Sequence, residues 1–163
     1  MKTKMLVLLA AASGAFLLGG GAVLAGPVPP GPIGFHPTIL ADGTIARSTE
    51  VSANDIEFSS PANARVLVQT IAIDGGGISG WHTHPGLVVV TVTDGAVRVT
   101  NGCHAAVVYS TGQSFVEPPE EPGLVENASA TLPAHTVATL IVPEGMVPRT
   151  NVFAPDCTRP EGD

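Results

Sequence analysis

His82-Thr83-His84 puts two imidazoles two residues apart, and on a β-strand side chains at i and i+2 leave by the same face. Two rings sharing a face can bind one divalent ion. They do not complete a site, because zinc normally takes four partners, or three plus water, and a non-haem iron site takes two histidines and a carboxylate. The only thiols, Cys103 and Cys157, lack the close C-x-x-C spacing of a metal or redox pair. No lysine follows Lys4, which excludes a Schiff base and a P-loop. A Ser-His-Asp triad is defined in space and cannot be read from spacing.

The elements that must carry these residues are short. Lys2 and Lys4, the apolar run Met5 to Leu18 and the Val23-Leu24-Ala25 segment read as an export signal cleaved after Ala25, the alternative being a retained anchor. Export makes the two cysteines one structural disulfide, Cys103–Cys157, closing a loop of about 55 residues. The chain divides into a signal peptide (1–25), an extended Pro/Gly-rich lead-in (26–38), which cannot be helix or central strand, and a single domain (39–163). Within that domain, apolar runs rich in β-branched residues cover 56–60, 64–73, 87–93, 96–100, 105–110, 114–118 and 135–143. Turn signals separate them: Asp74-Gly75-Gly76-Gly77, Asp94-Gly95 and Asn101-Gly102. No window sustains a helical stripe and no motif repeats, so the expectation is one all-β sandwich or barrel. After cleavage fourteen acidic residues face five arginines, a net charge of −9, which argues against a nucleic-acid partner. Nothing then remains to hold the chain in a membrane.

The stretch Gly76 to Gly95, GGISGWHTHPGLVVVTVTDG, resembles the first motif of the cupin superfamily, G-x5-H-x-H-x(3,4)-E-x6-G. The second motif, G-x5-P-x-G-x2-H-x3-N, lies on Gly112 to Asn127, with Gly112, Pro118 and Asn127 in place and Glu120 where a glycine is usual. The resemblance covers roughly residues 56 to 143 and implies a small antiparallel jelly-roll barrel with a divalent metal in its lumen. It looks like the small exported single-domain cupins of bacteria. Two departures make the metal motif degenerate: Val88 stands at the family's metal-binding glutamate and Gly123 at the second motif's histidine. Of the usual ligands, His82 and His84 remain. A replacement carboxylate is needed, and Glu117, Glu120, Glu121 and Glu126 crowd the region; if Glu117 leans inward, His82, His84 and Glu117 make a two-histidine, one-carboxylate face. Otherwise the four glutamates are a solvated acidic loop.

Parity from Val88 places Val90 and Val92 beside it on an apolar pocket wall, suited to a small organic ligand or to a barrel filled by its own side chains. His36, His104 and His135 have positions compatible with ordinary surface residues, and Trp81 lies opposite the two imidazoles. Asn127-Ala128-Ser129 matches a glycosylation sequon, but Asn127 at a turn fits the resemblance better. The leading reading is an exported protein that binds a small molecule, with or without a divalent metal (Zn, Mn, Fe, Ni or Cu), in the lumen around His82 and His84. The alternatives are a metal-dependent oxygenase, isomerase or decarboxylase, and a structural or interaction domain of the cell exterior. Whether the protein is an enzyme stays open, and exposed strand edges leave room for a homodimer.

Overall fold

A computed structural model describes residues 27–158, so the signal segment lies outside the described residues. Twelve strands and no helix make up this part: β1 (Ile33–Ile45), β2 (Thr49–Ala53), β3 (Ile56–Ser60), β4 (Ala64–Ile78), β5 (His82–Thr83), β6 (Leu87–Asp94), β7 (Ala96–Asn101), β8 (Val107–Ser110), β9 (Ser114–Glu117), β10 (Gly123–Asn127), β11 (Ala134–Val142) and β12 (Thr150–Asn151). All pairings are antiparallel. Ten strands form one nearly closed sheet, and β2 and β3 form a separate hairpin. On one side of the barrel β1, β4, β11, β6 and β9 lie edge to edge; on the other, β10 pairs with β7 and, through Gly123, with β5. This is the all-β barrel that the short apolar runs imply, in the jelly-roll form that the resemblance implies.

The barrel closes because its strands alternate. On β11, Ala134, Thr136, Ala138, Leu140 and Val142 point inward while the residues between them do not, and Val88, Val90 and Val92 do the same on β6. These side chains meet Leu67, Ile71 and Ile73 of β4, Val97 and Val99 of β7, and Phe115 of β9 in one core. Burying such side chains contributes about 1.5–3 kcal/mol apiece before ordering costs.

Two segments differ from the sequence reading. The lead-in becomes strand at Ile33, where β1 runs along β4 from Ile33↔Ile78 to Ile45↔Ala64. Pro37 is accommodated because β1 pairs only with β4, and an edge strand can lack one N–H. Asp74-Gly75-Gly76-Gly77 is not a turn between strands but a bend inside β4, which carries the chain from β11 towards β10. The glycines fit the bend for a steric reason: a Cβ on Gly77 would lie 2.5 Å from the Gly34 carbonyl oxygen, and one on Gly75 2.6 Å from the Thr131 backbone.

Candidate metal centre

The histidine strand β5 is only two residues long and is held from both sides. His82 pairs with Gly123 of β10 and with Asn151 of β12, and Thr83 pairs with Thr150. Both imidazoles are buried, with their ring centroids 4.9 Å apart and their planes near perpendicular. His82 Nδ1 lies 2.9 Å from the Gly80 carbonyl oxygen and His84 Nδ1 2.6 Å from that of Pro148. A carbonyl oxygen only accepts, so each Nδ1 carries the proton it donates, and each Nε2 is the nitrogen turned to the lumen.

Both Nε2 atoms converge on Glu117. Its Oε2 is 2.9 Å from His84 Nε2 and 3.7 Å from His82 Nε2, and the carboxylate is as buried as the rings. One ligand atom from each of His82, His84 and Glu117 lies within 4.8 Å of the others. Register explains how the carboxylate arrives there. Glu117 is paired with Val88, so the acid absent from β6 is replaced by one directly opposite on β9, aimed at the same interior. Gly123, at the place of the absent histidine, sits opposite His82 and brings no side chain.

Burial opposes a charge on Glu117, but hydrogen bonding and charge from His82 and His84 outweigh it and draw its pKa down from 4.5 to about 2. Without an ion, His84 lies between the Pro148 carbonyl at Nδ1 and the Glu117 carboxylate at Nε2. A divalent ion would bind at Nε2 in place of a proton. Two neutral imidazoles with fixed tautomers and one carboxylate therefore fit a transition-metal ion.

Residues 69–140, which run from β4 through most of β11, match the family model of the cupin domain. This stretch of the chain is a cupin domain. A protein with a double-stranded β-helix domain from Klebsiella pneumoniae subsp. pneumoniae MGH 78578 shares the fold at 14% identity and a TM-score of 0.52, over 76% of this chain and 86% of that one. A cupin-like protein from Thermotoga maritima MSB8 aligns at 18% identity and a TM-score of 0.49, over 55% of this chain and 65% of its own. A DMSP lyase from Ruegeria pomeroyi DSS-3 aligns at 13% identity and a TM-score of 0.48, over 60% of this chain and only 45% of the lyase. No curated protein matches the sequence.

In this cupin the lumen is nearly full. The space beside His82, His84 and Glu117 is about 30 Å³, lined by Ile71, Val88, Val90, Phe115 and Leu140 among others. That leaves room for only a few non-hydrogen atoms, against roughly 300 Å³ or more for an ordinary organic ligand. Val88 and Val90 line it; Val92 shares their face but is wholly buried in the core and does not reach the space. The four glutamates separate: Glu117 turns inward, Glu120 is exposed at a left-handed backbone position, Glu121 faces His104 at 3.7 Å and Glu126 faces Arg98 at 3.9 Å. His104 and His135 are exposed, and His36 bonds Asp74 at the surface. Asn127 is buried, its amide Nδ2 within 3.0 Å of the carbonyls of Ile73, Asp74 and Leu132, so it holds a turn. Cys103 and Cys157 are disulfide-bonded.

One charged lining residue has no counterpart in the sequence reading. Arg149, just before β12, extends its guanidinium to this cavity and donates to the Ser79 carbonyl and to Asn151 Oδ1.

A pH dependence follows from Glu117. A carboxyl group whose pKa falls on folding contributes stability that is complete above its unfolded value, here 4.5, and is lost as the pH drops towards about 2. Urea midpoints of the metal-free chain are expected to fall across that window, with a shallower fall for Glu117→Gln. Equal slopes for the two chains would contradict the assignment.

Proposed function

We propose that this cupin is an exported protein that holds one divalent transition-metal ion (Zn, Mn, Fe, Ni or Cu) on His82 Nε2, His84 Nε2 and a Glu117 oxygen, and presents it to a small ligand in the lumen. The observation that carries the reading is the convergence of these three buried ligand atoms within 4.8 Å, with both Nδ1 atoms committed to backbone carbonyls. Export is supported by the Cys103–Cys157 disulfide, which persists in oxidising compartments. When bound, the metal would supply a Lewis acid with coordination positions left for a ligand. The chain's own part is orientation and exclusion: Gly80 and Pro148 fix the rings, and Val88, Val90 and Leu140 keep bulk water from the site.

A second reading is favoured by the 2.9 Å His84–Glu117 contact, which satisfies both groups without any ion and would make the trio an internal plug. Metal analysis separates the two. The purified chain, incubated with each of the five ions and passed through a desalting column, is expected to retain about one of them per chain, with affinity falling as the pH is lowered because protons compete for the imidazoles. Retention of none of the five would leave the plug.

A further inference from the structure

We infer that the lumen takes a small carboxylate-like anion of about three or four heavy atoms, held between Arg149 and the ion on His82, His84 and Glu117. The inference rests on the metal reading above and adds the chemical class of the ligand. Charge is the first argument. Among the residues lining the cavity the only acidic group is Glu117 and the only cationic one Arg149, so the two cancel. A divalent ion bound between neutral imidazoles then leaves two positive charges uncompensated in a mostly apolar hole, a costly state that an entering anion relieves.

Donor geometry is the second argument. Arg149 is held by two contacts, to the Ser79 carbonyl and to Asn151 Oδ1, which anchor its planar fork. A guanidinium has five N–H groups, so three have no assigned partner among the described residues. An arginine presented in this way matches a carboxylate better than a neutral ligand, because two parallel N–H groups meet two oxygens. Space is the third argument. The opening of about 30 Å³ admits formate, acetate or bicarbonate more readily than any ring or chain. Arg149 is thus assigned a positioning and specificity role beside its structural bonds to the tail.

The test titrates sodium formate and sodium acetate into the chain loaded with Zn²⁺, or with whichever of the five ions it retains, by isothermal titration calorimetry. Formamide and acetamide serve as uncharged isosteres. Metal content and Tm are measured on every sample. Saturable binding of an anion, none of the amides, at least tenfold weaker binding by Arg149→Gln and an intermediate loss in Arg149→Lys are expected. If Arg149→Gln fails to fold, Arg149→Lys at unchanged Tm carries the comparison. A metal-loaded chain that ignores both anions, or a folded Arg149 variant that binds them as tightly as the parent, overturns the inference and leaves the metal reading standing. A chain that retains no metal overturns both.

Discussion

Glu117→Val is expected to lower metal affinity by about a hundredfold or more, and adding Val88→Glu to the same chain is expected to restore a large part of it; altering groups that merely orient ligands already costs about 10–100-fold. The reason lies in sheet register. Val88 on β6 and Glu117 on β9 are directly paired, both point inward, and both line the cavity beside the imidazoles. Exchanging them keeps one valine and one carboxylate on the wall and moves the acid across one strand. Glu117→Val suits the apolar neighbours Val90, Phe115 and Leu140 but leaves His84 without its buried partner, so the barrel is expected to fold with reduced stability. Competition against a chromophoric chelator gives the affinities, and far-ultraviolet circular dichroism reports folding. If Glu117→Val binds metal as tightly as the parent, the carboxylate is not a ligand. A folded exchange variant that recovers no affinity would show that position 88 is out of reach of the imidazoles, against the register argument.

The part of the site legible in the sequence is the part governed by local alternation. His82 and His84 share a face because they are two apart on an extended segment, and several apolar runs coincide with strands, 56–60 with β3 and 87–93 with β6 to within a residue. Alternation also distinguishes Glu117 from its neighbours: in Ser114-Phe115-Val116-Glu117 the buried positions are Phe115 and Glu117, so the large aromatic marks the acid that turns inward. Glu120 and Glu121, beyond the strand end, carry no such mark. Tertiary partners decide the remainder. β5 and β12 are two residues each and exist because each pairs with the other and because Gly123 lies alongside His82; neither carries an apolar pattern of its own. Arg149 reaches a carbonyl seventy residues earlier in the chain, a relation that no local pattern encodes.

Severing the Cys103–Cys157 bridge is expected to cost the protein up to about 4 kcal/mol of stability and the folded protein about tenfold in metal affinity. The first effect comes from the unfolded chain: the bridge joins residues 54 apart, and its removal frees a long loop before folding. The second comes from where the tail runs. Between β11 and Cys157 the chain supplies the Pro148 carbonyl that fixes His84, the Arg149 contact to Ser79, the two β12 pairs to β5 and the bond from Val152 N–H to the Trp81 carbonyl. Cys103 anchors this tail two residues beyond Asn101, which pairs with Gly123, itself opposite His82. Bridge, tail and β5 therefore form one ring around the imidazoles, and the ring opens when the bridge does. The double variant Cys103→Ser, Cys157→Ser separates the two effects: urea unfolding reads the stability, and chelator competition well below the unfolding transition reads the affinity of the folded form. Lost stability with unchanged affinity would mean that the bridge acts on the unfolded chain alone and that the strand pairs of β12 suffice to seat the tail. A fall in both places the disulfide among the groups that orient His84.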